Sequence, residues 1–252
     1  MKKLATLLFL ALSLILFCQK KKPTSKKVLK AKTSLNKGVT KISDNLKKIN
    51  DSVADLIPKK IEEKFGFINQ SGKLIIKPEY SNVGFFTEDC NLLNSPNEKV
   101  RKFGTKKYAS VRLNNIDYRI NKTGKRVYRF IEKDRGTCQS QFVEQLFHAY
   151  ILNFNYGIIE DSKFENPGDY RQFTIYPQYN YLHIVEGDDL KNPMIIAIKE
   201  DKFGVIDIHQ NIIIPFIYLD IKRNFSWKLA RLFEVTTDGK NYFYVDDKNK
   251  AY

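Results

Sequence analysis

Histidine is scarce in this chain: three in 252 residues, at His148, His183 and His209. None begins an HExxH or a Cys/His zinc pattern, and none lies within helical or strand reach of another. Tryptophan occurs once, at Trp227, and cysteine three times, at Cys18, Cys90 and Cys138, with no CxxC pair. GxSxG, P-loop and GxGxxG patterns are missing. These gaps leave no catalytic residue, cofactor site or metal site to assign, and the chain reads as non-enzymatic. Long apolar runs are missing too. The one candidate, Leu4 to Phe17, is interrupted by Thr6 and Ser13 and is too short for a comfortable transmembrane helix.

That short run has another use. Lys2 and Lys3 precede it, and Cys18 closes it just before Gln19 and three lysines. The arrangement is that of an export signal. A cysteine at the end of the run resembles a bacterial lipoprotein signal, with Ile15 acceptable at −3 and Phe17 a departure from the small residue usual at −1. The resemblance implies lipidation of Cys18, a membrane anchor and an envelope location for residues beyond 18. Export would permit a Cys90–Cys138 disulfide; two buried thiols are the plainer reading.

The net charge is +15, unevenly spread. Residues 1–64 hold 16 lysines against 5 acidic residues, and residues 65–252 hold 27 basic against 23 acidic. The excess belongs to an N-terminal arm, and with an export signal in front of it that arm suits an anionic lipid surface better than nucleic acid. Residues 19–27 read as a tether. From Leu35 through Val39, Ile42, Leu46, Ile49 and Val53 to Leu56 the apolar residues step by 4 and 3, a heptad seam on a helix over 28–57 that Pro58 ends. Such a helix could pair with another copy as a coiled-coil stalk, making a homo-oligomer, or fold back over the following domain. Its narrow apolar face argues against lying on a membrane.

From residue 64 the period changes. KFGFINQSGKLIIKPEY, 64–80, matches KFGVIDIHQNIIIPFIY, 202–218. Three weaker copies centre on Tyr118, Gly157 and Phe243, so the spacings along the chain are 52, 39, 47 and 39 residues. Asn69, Asn121, Asp207 and Asp246 open a turn in which a short polar side chain can hold the backbone. Gly72, Gly124 and Asn249 take its fourth position, where φ is expected to be positive. The returning strands carry Ile76, Ile175 or Ile214, and then Pro78, Pro177 or Pro215, expected to end regular pairing.

These residues resemble the WG repeat family, known from exported bacterial proteins. The repeat core comprises Phe65, Gly66, Ile68, Asn69, Gly72 and Tyr80 in the first copy, and Phe203, Gly204, Ile206, Asp207, Pro215 and Tyr218 in the fourth. Tyr156 and Gly157 represent the third. Phe65, Tyr156 and Phe203 stand where the family has Trp, and the second and fifth copies lose the Gly. Ala109 to Leu113 resemble the strand that precedes the family core. The resemblance implies a mainly β protein: about five antiparallel hairpin repeats over 64–252, after a signal (1–18) and a tether with a long amphipathic helix (19–63). It also implies a binding or scaffolding surface for a protein or glycan partner. An envelope hydrolase with a spatially assembled site and a structural stalk are the alternatives.

Two further features bear on partners. Glu88-Asp89, Asp188-Asp189 and Asp246-Asp247 read as turn formers rather than acid/base pairs. Tyr108, Arg112, Tyr118, Arg119, Arg126, Tyr128, Arg129 and Phe130 interleave aromatic and basic residues. The plain expectation is a half-exposed sheet with the aromatics packed and the arginines outside. As a binding patch it would suit an acidic protein or anionic glycan, not DNA.

Overall fold

The computed structural model describes residues 52–139, 145–164, 170–187 and 189–252. The signal, the tether and the heptad segment as far as Asp51 lie outside the described residues. Leu56 and Ile57, the last part of that expected helix, are extended instead. They begin strand β1 (Leu56–Ile61), which pairs with β2 (Lys64–Asn69) and so moves the start of the β body ahead of residue 64. Pro58 sits within β1, an edge strand, where a missing N–H is tolerated.

Five small antiparallel sheets follow one another along the chain. The first adds β3 (Leu74–Tyr80) to β1 and β2. The second holds β4 (Asn82–Phe86), β5 (Tyr108–Leu113), β6 (Ile116–Asn121) and β7 (Arg126–Arg129). The third holds β8 (Phe147–Leu152), β9 (Asn155–Glu160) and β10 (Phe173–Tyr179). The fourth holds β11 (Tyr181–Ile184), β12 (Ile195–Lys199), β13 (Lys202–Ile206) and β14 (Ile212–Tyr218). The fifth holds β15 (Asp220–Ile221), β16 (Phe233–Thr236) and β17 (Tyr242–Val245). Each expected hairpin is thus the last part of a meander. An entry strand leads into it, and in three sheets a linking strand from the preceding unit pairs with that entry strand.

Two turns build each unit. Entry strands reach central strands through two-residue turns at Glu62-Glu63, Asn114-Asn115, Asn153-Phe154 and Glu200-Asp201. φ is positive at both residues of the last three and at Glu62 of the first. Turns of this hand match the twist of the strands they join. The second turn behaves as its residues predict. Oδ1 of Asn69 accepts from Ser71 N at 3.1 Å and Lys73 N at 2.9 Å, and Asn121, Asp207 and Asp246 repeat the pattern on their own turns. φ is +82° at Gly72, +84° at Gly124, 66° at Gln210 and 59° at Asn249. The third copy departs: Glu160 binds Ser162 and Lys163, and a single 3₁₀ turn, Asp161–Lys163, replaces the held turn.

The prolines do not end pairing. β3, β10 and β14 run through Pro78, Pro177 and Pro215 to Tyr80, Tyr179 and Tyr218, with the register shifting at a bulge between. The core glycine faces that bulge. A Cβ on Gly204 would stand 2.8 Å from the carbonyl oxygen of Ile214, one on Gly157 2.6 Å from that of Ile175, and Gly66 meets Ile76 in the same way. Close approach of two backbones is therefore the reason for glycine there.

Four hydrophobic clusters join the sheets, and they do so out of chain order. One packs the third sheet on the fourth through Ile158, Ile175, Leu182 and Ile206. A second packs the fourth on the fifth through Val205, Ile214, Phe233 and Val245. A third packs the first on the second through Phe67, Tyr80, Val111 and Ile120. The last joins the ends of the described chain: Ile57 and Ile68 of the first sheet pack with Ala230, Leu232 and Tyr244 beside the fifth. Ala54 N donates to Ala230 O at 3.1 Å, and Lys250 Nζ reaches Gln70 O at 2.9 Å. The order in space is third, fourth, fifth, first, second. Among the described residues no such cluster joins the second sheet to the third.

The terminal tyrosines tie units together. Tyr80 O–H donates to Gly124 O at 3.4 Å and Tyr218 O–H to Asn249 Oδ1 at 2.6 Å, each reaching the positive-φ residue of the next unit's turn. Burial raises Tyr80 and Tyr244 well above the usual phenol range. Burial also pushes Tyr128 and Tyr252 up to about 12, with help from hydrogen bonds to Asp134 and Asp246. A phenol raised in the fold contributes stability that is complete below its unfolded value near 10 and is lost as pH climbs through the folded value. In an alkaline titration followed by phenolate absorbance, these four should stay neutral at pH about 11 in the folded protein and ionise when denaturant is added. Uniform ionisation of all 14 tyrosines near pH 10 would contradict the packing.

Candidate binding site

The connection from β4 to β5, residues 87–107, is the longest departure from the repeat. It carries two one-turn helices, Cys90–Leu93 and Glu98–Arg101, capped by Asp89 and Asn97. The segment after β7 lies against it. Gly136 N donates to Asn91 O at 2.8 Å, Asn97 Nδ2 to Asp134 Oδ1 at 3.1 Å, and Tyr128 O–H to Asp134 Oδ2 at 2.9 Å. Cys90 and Cys138 are disulfide-bonded across the two segments, Cα–Cα 5.4 Å, and so are not the two thiols of the plainer reading.

Arg119 explains why this module sits where it does. The expectation placed the arginines of this stretch outside, yet Arg119 is 2% exposed. It occupies the position of Phe67, Ile158, Val205 and Tyr244, the residue each central strand turns to the next sheet. Its guanidinium donates to the carbonyls of Phe103 (2.9 Å), Thr87 (2.9 Å) and Thr105 (3.1 Å) and to Ser110 Oγ (3.0 Å). Three of these acceptors belong to the inserted connection. Burial lowers its affinity for the proton, partly offset by Asp89. Around it Phe103 stacks on Tyr128 at 5.2 Å, with Tyr108 edge-on. The disulfide module thus takes the place of the next sheet.

Beside the module lies a groove of about 620 Å³. Arg112, Arg129 and Arg135 line it together with Asp117, Glu132 and the half-exposed Ile131. Arg112 binds Asp117 through two hydrogen bonds of 2.7 and 2.8 Å, which holds the carboxyl below its ordinary range. Arg135 meets Glu132 more loosely at 3.5 Å, and Arg129 is exposed. Asp89, also in the wall, receives Leu92 N as a helix cap. These carboxylates are engaged with cations or backbone donors.

The histidines do not converge. His148 pairs with Asp161 on the third sheet. His183 is half-buried in β11, its basicity lowered by burial and by Arg223, and His209 lies in a held turn. Among the described residues no group of three His, Cys, Asp or Glu could hold a metal. The repeat-core residues fall in three separate copies, the first, third and fourth, and none of them lines this groove. Gly66, Gly157 and Gly204 lie under bulges, Ile68 and Ile206 in the core, Phe65, Tyr156 and Phe203 half-buried beside it, and Pro215 at a bulge. Sequence reasoning singled out Arg112 and Arg129 but missed Arg135, Glu132 and the disulfide module. Their only signal was that the copies are interrupted there.

Comparisons with known proteins are sparse. No curated protein matches the chain. A solved chain, described as a crystal structure of the eukaryotic initiation factor, is 14% identical over 80% of this chain and 53% of its own, so this chain spans about half of it. With a TM-score of 0.26 that likeness carries no argument. A family model described as WG containing repeat matches residues 65–90, the stretch from the central strand β2 through β4 into the next sheet. The matched stretch is similar to a WG containing repeat, and the turn that Asn69 holds within it recurs at Asn121, Asp207 and Asp246.

Proposed function

We propose that this is a non-enzymatic, membrane-tethered protein of the cell envelope that binds an acidic protein or anionic glycan through the groove beside the disulfide module. The observation that carries it is the convergence of Arg112, Arg129 and Arg135 on one groove of about 620 Å³, within the usual range for ligand sites. Paired guanidinium groups recognise carboxylate and sulfate geometry well. The Cys90–Cys138 bond supports an oxidising compartment, which agrees with the export signal and an anchor on Cys18.

The test has two parts. A palmitate analogue should label the full chain, and Cys18→Ala should lose the label. Affinity for a sulfated or polyuronate oligosaccharide should fall roughly tenfold in Arg129→Ala/Arg135→Ala, and a neutral dextran should not bind. Equal binding of the charged and neutral glycans, or no effect of the double substitution, would defeat the groove. A hydrolase reading would instead require turnover that vanishes on replacing Glu132.

A further inference from the structure

Three of the five sheets open with a linking strand. A single residue separates each from the strand before it: Ser81 between β3 and β4, Asn180 between β10 and β11, Leu219 between β14 and β15. The backbone N–H of that residue donates to the entry strand, to Arg112 O, Ile198 O and Thr236 O at 2.9, 3.0 and 2.9 Å. The linking strand then runs antiparallel, with an apolar residue at a fixed place: Val83 opposite Val111, Leu182 opposite Ala197, Ile221 opposite Val235. Leu182 and Ile221 are buried there.

The third sheet has no such strand among the described residues. After β7 the chain enters the disulfide module instead, and β8 is left as an outer strand. Its pairing with β9 aligns Tyr150 with Val111, Ala197 and Val235, and Ile151 with the three accepting residues. Asp161 N donates to Leu146 O at 2.9 Å, so the alternation of an antiparallel ladder turns the backbone groups of Phe147, Ala149 and Ile151 outward. His148, Ala149, Tyr150 and Ile151 are all exposed, and Phe154 in the adjoining turn is 96% exposed.

Outer strands are normally guarded against added partners. In this protein β1, β3, β10 and β14 carry Pro58, Pro78, Pro177 and Pro215, β7 carries Arg126 and Arg129, and a bridge from Val245 to Ala251 covers the end of β17. β8 reads Phe-His-Ala-Tyr-Ile-Leu, with no proline, lysine, arginine or carboxylate.

We propose that β8 accepts an extended segment of a partner polypeptide as a fourth strand, antiparallel to it and with a large apolar residue opposite Tyr150. The three sister sheets select that occupant, since each fills the same edge in the same register with such a segment. Backbone hydrogen bonds supply the affinity and the apolar position the selectivity. The arginine groove lies on the second sheet and reads charge, so the two proposals fail independently.

The chain supplies its own probe. The full-length protein is titrated into a fluorescein-labelled peptide of residues 179–186, which contains β11, and anisotropy is followed. Binding should be saturable, and the same peptide with Leu182→Asp should not bind. Ala149→Pro in the protein should weaken binding at least about tenfold, because it removes an outward N–H and blocks the edge. Pro58 holds the aligned position in β1, opposite Phe67 as Ala149 is opposite Ile158, so the fold accepts proline there. Ile151→Lys, aligned with Lys60, is the second variant and should weaken binding with unchanged thermal unfolding. No saturable binding, equal binding of the two peptides, or undiminished binding by both protein variants overturns the proposal. Sedimentation without peptide should be the same for the parent and Ala149→Pro. A dimer that Ala149→Pro dissociates would give the edge to a second copy and overturn the proposal as well.

Discussion

Replacing Arg119 with Ala should lower the unfolding free energy by about 3–5 kcal/mol, more than any other single substitution in the second sheet. The side chain makes four hydrogen bonds, three of them to carbonyls that hold the inserted connection in place. Hydrogen bonds to a charged group contribute roughly 1.5–3 kcal/mol each, and removing the donor leaves buried carbonyls unpaired. Desolvation of the cation works against this sum, so the net loss is smaller than four such bonds. Arg119→Lys should recover little, since one ammonium cannot span acceptors arranged around a planar fork. Denaturant unfolding of the two variants measures both effects. A loss below about 1 kcal/mol for Arg119→Ala would mean that the connection holds itself.

Loss of the disulfide should cost about as much, by a different route. Cys90 and Cys138 are 48 residues apart and enclose the whole of β5, β6 and β7. Freeing a loop of that length gives the unfolded chain entropy worth about 4 kcal/mol on the chain-entropy account. Cys90→Ser/Cys138→Ser should therefore melt well below the parent. Hydrogen exchange should locate the loosening in residues 87–107 and 130–138, with the third to fifth sheets protected as before. If the loss spreads evenly over all five sheets, the module is not a separate cap on the array.

The repeat itself was legible because it rests on local chemistry. An Asn or Asp that holds two backbone amides needs only its own turn, and that turn formed in four copies as read. Glycine beside the aromatic residue was also visible, but its reason was not: the close approach comes from a bulge in the returning strand, and the prolines expected to stop that strand lie within it. The entry strands were harder to see. Asn114-Asn115 is a recognisable two-residue turn, whereas Glu62-Glu63 and Glu200-Asp201 adopt the same form without its usual residues. Leu56 fits a heptad and a strand equally well, since short apolar runs do not fix the period. From sequence Arg119 reads as exposed, because only tertiary structure supplies its carbonyls. The groove is built from an interruption of the repeat, where no internal copy exists for comparison.

The order of the sheets, with the first packed against the fifth, brings the two ends of the array together. Gln70 and Lys250 lie in turns of these two sheets, 2.9 Å apart between Gln70 O and Lys250 Nζ. The measurement is the distance between spin labels on Gln70→Cys and Lys250→Cys, with Cys18→Ser and the native disulfide left intact. A single population below about 20 Å is expected. An array stacked in chain order would separate the two sheets by four steps of about 10 Å each, and a distance near 40 Å would contradict the arrangement.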